Sequence, residues 1–102
     1  MLKIWKFPIP VQDTIQVEMP TGARVLTVQT QPADPAMLKV GDPVEQPCLW
    51  ALVNPEAPKE IRQFRMAGTG HPIEHSEKLT YIGTFQMEGG ALVFHLFEKP
   101  QP

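Results

Sequence analysis

Apolar and polar positions alternate along this chain with a period of two. TIQVEM (14–19) places Ile15, Val17 and Met19 on one face and Gln16 and Glu18 on the other. Successive side chains of an extended backbone point to opposite faces, so this pattern predicts a half-buried strand. The same reading predicts strands over LKIWKF (2–7), ARVLTVQT (23–30), KEIRQFRMAG (59–68), LTYIGTFQM (79–87) and ALVFHLFE (91–98). PCLWALV (47–53) is a continuous apolar run, the pattern of a central strand covered on both faces.

Three details of the pattern carry expectations of their own. Pro20-Thr21-Gly22 is a short connection, which predicts that 14–19 and 23–30 form a hairpin. Ile61 departs from the even-numbered Phe64 and Met66, and a bulge near 61–63 would reconcile them. Leu79, Tyr81, Phe85 and Met87 fall on one face, with Gly83 as a bulge or a point of close packing. Trp50, within its apolar run, is expected in the core.

Twelve prolines, at more than twice the typical frequency of about 5%, fall between the apolar runs and leave no room for long helices. AMLKV (36–40) has room for one helical turn or a short strand, and Gly41-Asp42-Pro43 reads as a turn. The fold class is therefore all-β: a small antiparallel β-sandwich or barrel of about seven strands, spanning 1–98 as one domain with 99–102 as a frayed tail. Strands that are apolar on both sides leave surface in search of a partner, which predicts a homo-oligomer.

Composition narrows the function. With 102 residues there is room for one core. A formal charge of −2, with Lys and Arg spread singly from Lys3 to Lys99, argues against a nucleic-acid partner, because phosphate neutralisation needs basic residues gathered on one face. No stretch reaches the about 18 apolar residues of a membrane span, and the first residues lack the pattern of a signal peptide, so a cytoplasmic protein is expected. Cys48 is the single cysteine, flanked by Leu49 and Trp50, and reads as a buried, inert thiol.

Candidate chemistry concentrates in FRMAGTGHPIEH (64–75). His71-Pro-Ile-Glu74-His75 has the letters of an inverted zinc-peptidase motif, but that chemistry needs a helix to bring both histidines to one face, and a third ligand on a second helix. The segment is too short for the first and the chain offers no second, so neither a metal nor any other cofactor is expected. Gly68-Thr69-Gly70 invites another reading: an anion-binding nest of backbone N–H groups, completed by His71 and by Arg62 or Arg65 from the preceding strand. The plainer alternative is a strand-ending turn that needs positive φ at its glycines. His95, in an apolar strand, is expected to be a hydrogen-bonded core or interface residue. No nucleophile–base arrangement emerges, and the expectation is a protein that is not an enzyme.

KIWKFPI, IQVEMPTGARVLTVQ, CLWALVNPEAPKEIRQFRMAGTGHPI, YIGTFQM and LVFHLFE together resemble a family of small uncharacterised bacteriophage and prophage proteins. The CLWA (48–51) and GTGHPI (68–73) segments carry most of the resemblance. It implies a viral origin and a site of action in the cytoplasm of an infected bacterium, but no activity. The leading expectation is thus a non-catalytic phage accessory protein that binds a host or phage macromolecule as a homo-oligomer. The alternatives are a binder of an anionic small molecule or nucleotide at the Gly68–His75 loop, and a minor virion protein.

Overall fold

A computed structural model describes residues 1–42 and 44–101. Pro43, the end of the expected 41–43 turn, and Pro102, the end of the expected tail, lie outside the described residues. Seven strands follow in order: β1 (Lys3–Pro8), β2 (Thr14–Pro20), β3 (Arg24–Pro32), β4 (Glu45–Val53), β5 (Lys59–Gly68), β6 (Thr80–Met87) and β7 (Leu92–Glu98). Single 3₁₀ turns stand at Pro35–Met37, Ser76–Lys78 and Glu88–Gly90. The first of these overlaps the start of 36–40, where a helical turn or short strand was expected; Asp34 caps it by accepting from the Ala36 N–H.

The strands form two antiparallel sheets, one of three strands in the order β1-β4-β3 and one of four in the order β2-β5-β7-β6. The expected all-β architecture is what the chain adopts. Their inner faces meet in a core that includes Ile15, Met19, Val28, Leu49, Val53, Phe64, Phe85 and Leu96. β4 is the middle strand of its sheet, as its apolar run predicts, and Leu49, Ala51 and Val53 point into this core.

The expected hairpin of 14–19 with 23–30 is not formed. β2 pairs with β5 and β3 with β4, so the Pro20–Ala23 turn carries the chain from one sheet to the other. That turn is pinned to the next crossing. Thr21 donates from N and Oγ1 to the Pro58 carbonyl at 2.8 and 2.6 Å, and the Gly22 N–H donates to the Glu60 carboxylate at 3.1 Å. A short turn dictates only that the chain reverses. Whether the two strands then share a sheet or face each other across the core is decided by partners far along the sequence.

Of the two expected irregularities, the one at Gly83 is present and the one near 61–63 is not. β2 and β5 run in unbroken register from Pro20↔Lys59 to Thr14↔Arg65. No bulge relieves Ile61, which instead faces outward and is exposed, while Arg62 occupies the inward position beside it. The bulge in β6 lies between Tyr81 and Gly83, so the strand's parity changes there. Tyr81 and Thr84 both face outward, whereas Phe85 and Met87 face the core. Gly83 faces inward, where a Cβ would stand 3.0 Å from Val28 Cγ1 of the opposite sheet, so the glycine lets the two sheets approach closely.

Trp50 does not take the core position expected of it. Trp5 packs against the core, whereas Trp50 lies half-buried on the outer face of the three-stranded sheet. There it pairs with Lys6 and Thr27, and its neighbours in the same face are Ile4, Leu52 and the bulged Leu26. Cys48 is buried on that face, as expected of it, and burial pushes its thiol pKa up against the weaker opposing effect of Lys6.

Candidate anion-binding site

β5 and β6 both run antiparallel to β7, which lies between them, so they run parallel to one another. The segment 69–79 therefore cannot be a simple turn. It has to return along the sheet from the end of β5 to the start of β6, as any connection between parallel strands must. Its length is a consequence of the strand order, and its course places loop side chains over the outer face of the four-stranded sheet.

The loop starts in a turn closed by the His71 N–H donating to the Gly68 carbonyl at 3.0 Å. Only Gly70 within it has positive φ, at 85°, which is the pattern of a type II turn with glycine in its third position. Gly68 is needed for a different reason: a Cβ there would stand 3.0 Å from His71 Nδ1, because the imidazole folds back onto the glycine. The Thr69 N–H donates to Val93 O at 3.1 Å. The Thr69 N–H of the expected nest and the His71 N–H beside it are thus consumed within the protein, and Gly68-Thr69-Gly70-His71 is built as a turn rather than as an anion cradle.

Arg62 does not join this loop. It faces inward at one end of the sandwich, where it is paired through Nε and Nη2 with the Glu98 carboxylate and donates from Nη1 to the Ala23 carbonyl at 2.7 Å. Glu60 stands 3.9 Å away. The hydrogen bond to Glu98 raises the Arg62 pKa despite the opposing effect of burial. Its candidacy as a ligand-binding residue rested on nearness to the glycines in sequence, and the alternation of the strand points it the other way.

Arg65 does reach the loop. It donates to the carbonyls of Met66, Asp13 and Pro72, the last two at 3.4 Å, and its guanidinium lies 3.7 Å from the exposed Asp13 carboxylate. On its other flank opens a pocket of about 410 Å³, within the usual range of ligand sites. The sheet supplies Thr14, Gln63 and Arg65; the returning loop supplies Glu74, His75, Lys78 and Leu79; the segment after β7 supplies Lys99 and Pro100. The Lys99 N–H donates to Gln63 O at 2.8 Å, so the backbone is held one residue beyond β7.

The charge here runs against the whole molecule. A chain with a formal charge of −2 lines this pocket with Arg65, Lys78 and Lys99 and one carboxylate, Glu74, while Asp13 pairs with Arg65 on its far flank. Among the described residues neither lysine has a carboxylate within 4.0 Å. His75, with positive φ at 54°, caps the 3₁₀ turn that presents Lys78. A left-handed backbone is uncommon at a residue other than glycine.

Beside the pocket the outer face carries a chain of side-chain hydrogen bonds. Tyr81 Oη lies 2.6 Å from Thr84 Oγ1, which lies 2.9 Å from His95 Nδ1; His95 Nε2 lies 2.7 Å from Thr69 Oγ1. The β6 bulge makes this possible, because without it Tyr81 and Thr84 would face opposite ways. His95 is therefore bonded at both ring nitrogens, as expected of it, though on the outer face. His71 and His75 are separated by turn rather than helix, and among the described residues no three His, Cys, Asp or Glu side chains cluster as metal ligands. No helix among them is long and apolar enough to cross a membrane.

Comparison with known proteins adds one match. The model of a family described as Domain of unknown function (DUF7352) aligns with residues 1–102. The chain belongs to that family. No curated protein and no solved structure matches it. Lys78, Lys99, Gln63, Thr14, Tyr81 and Thr84 were not singled out from the sequence. Lys78 and Lys99 read there as isolated surface charges, and only the crossover brings them to Arg65.

Proposed function

We propose that this protein is a non-catalytic binding domain whose working site is the pocket between the returning 69–79 loop and the four-stranded sheet, and that its ligand is a small anion. The observation that carries this reading is the convergence of Arg65, Lys78 and Lys99 from three separate segments in an otherwise acidic protein. Cations gathered around a concave site attract an anion more strongly than the same charges spread over open surface, because less water screens them. Gln63 and Thr14 add neutral hydrogen-bonding groups, and Glu74 favours ligands that still carry a donor. A cytoplasmic setting, where small phosphorylated and carboxylated metabolites are abundant, suits such a site.

The test is calorimetric titration with inorganic phosphate and pyrophosphate at low and high salt. Binding that weakens as salt rises, and disappears in the Lys78→Gln/Lys99→Gln double variant while the fold survives by circular dichroism, supports the reading. Heat signals for neither anion, or equal binding by the double variant, would overturn it.

Self-association is a second reading, favoured by a separate observation. The outer face of the three-stranded sheet carries Ile4, 60% exposed, and Leu26, 41% exposed, beside the half-buried Trp50 and Leu52. A second copy covering this face would remove that apolar area from water. Sedimentation of wild type and an Ile4→Lys/Leu26→Lys variant decides it: a wild-type dimer that the variant dissociates supports this reading, and a wild-type monomer at 100 μM excludes it.

A further inference from the structure

Arg65, Phe97 and Tyr81 stand in one row across the outer face. Arg65 is the register partner of Phe97, and Phe97 that of Tyr81. Neighbouring strands are about 4.8 Å apart, so the Tyr81 backbone lies roughly 10 Å from that of Arg65, across one intervening strand. The cationic pocket is at the Arg65 end of this row, and Leu79, two residues before Tyr81, lines its wall.

At the other end is a ring held in readiness. Tyr81 is 57% exposed, yet its ring and its hydroxyl each have a partner. Phe97 meets it edge-on with centroids 5.6 Å apart, and Thr84 holds its hydroxyl at 2.6 Å. Thr84 is itself held by His95, which Thr69 holds in turn. An aromatic ring immobilised before binding loses little conformational entropy when a planar group stacks on it. The threonine hydroxyls beside it keep a lone pair each for a donor on the edge of such a group, while the imidazole, bonded at both nitrogens, holds them in place.

We infer that the anion taken by this site is the phosphate of a nucleotide, with the base stacked on Tyr81 and the phosphate among Arg65, Lys78 and Lys99. The inference rests on the anion-binding reading above and adds the ring to it. A free mononucleotide, rather than a nucleic-acid strand, is the occupant: the cationic end is a pocket walled by the returning loop, and the molecule as a whole is acidic, so a polymer has no basic track to follow beyond it.

Titrations with inorganic phosphate, adenosine, each of the four nucleoside 5′-monophosphates and a ten-nucleotide oligoadenylate separate the contributions. In wild type, at least one monophosphate binds about tenfold more tightly than phosphate, as expected for one stacked base. Tyr81→Ala lowers that nucleotide to the affinity of phosphate and leaves phosphate itself unchanged; Tyr81→Phe, which keeps the ring, retains most of the gain. Lys78→Gln/Lys99→Gln abolishes both. Binding of phosphate with no gain for any nucleotide would overturn this inference and leave the anion reading standing. Failure of phosphate and nucleotide together would overturn both. A nucleotide gain that survives Tyr81→Ala, or tighter binding of the oligoadenylate than of the monophosphate, would overturn the inference as well.

Discussion

Replacing Arg62 by Met tests the distinction between the arginine that holds the sandwich together and the one beside the pocket. The Arg62 side chain is 11% exposed and that of Glu98 is 18% exposed, so the pair is neither fully buried nor solvated. Methionine keeps much of the volume but removes two bonds to Glu98 and one to the Ala23 carbonyl. Loss of one partner costs about 3–5 kcal/mol in a fully buried pair and about 0–1 kcal/mol in an exposed one; this geometry puts Arg62→Met at about 2–3 kcal/mol. For a domain of this size each kcal/mol moves Tm by about 4–8 °C, so a fall of roughly 10–20 °C is expected. Urea denaturation of wild type, Arg62→Met, Glu98→Gln and the double variant gives the interaction energy directly, and about 1–2 kcal/mol of coupling should appear. Anion affinity should be unchanged, because Arg62 faces away from the pocket. Because Glu98 raises the Arg62 pKa, the arginine's contribution is complete below the guanidinium's unfolded value. It is lost only as pH rises through the still higher folded value, so it should not vary between neutral and mildly alkaline pH. A cost under about 1 kcal/mol, or zero coupling, would refute the reasoning.

Two further expectations follow from packing. Gly83→Ala puts a methyl 3.0 Å from Val28 Cγ1 in the core, and should cost about 1–3 kcal/mol by chemical denaturation, partly recovered when Val28→Ala is added; a neutral Gly83→Ala would contradict the close approach of the sheets. Cys48, buried and with its thiol pKa raised, should resist alkylation by iodoacetamide in the native protein and react readily in guanidinium; equal rates in the two states would contradict its placement.

The fold class, the strand positions and most inward-facing residues were legible because each depends on local alternation. What depends on distant pairing was not. The turn at 20–22 looks identical in a hairpin and in a crossing between sheets, and only β4 and β5 decide between them. Ile61 and Arg62 show the limit of hydrophobicity as a guide to facing: an unbroken register outranks the preference of one side chain when the inward arginine finds a carboxylate. At the site, Arg65 and the glycine turn were legible, the turn as the plainer of two readings. Lys78 and Lys99 were not, because their meeting depends on β7 lying between β5 and β6.

The pairing of the first two strands sets the order in which the protein can be built. Lys3 pairs with Val53 and Thr14 with Arg65, so neither strand has its partner until the chain has grown through β4 and β5. At synthesis rates of 5–20 residues per second, KIWKFP and TIQVEMP wait on the ribosome for roughly 3–10 seconds with unpaired backbone. Lys3, Lys6, Pro8 and Pro10 fall within or beside the first of these segments. Charge and proline are what discourage strangers from adding to an open strand. In the finished protein these residues mark an outer edge; during synthesis they guard a nascent chain against pairing with its neighbours.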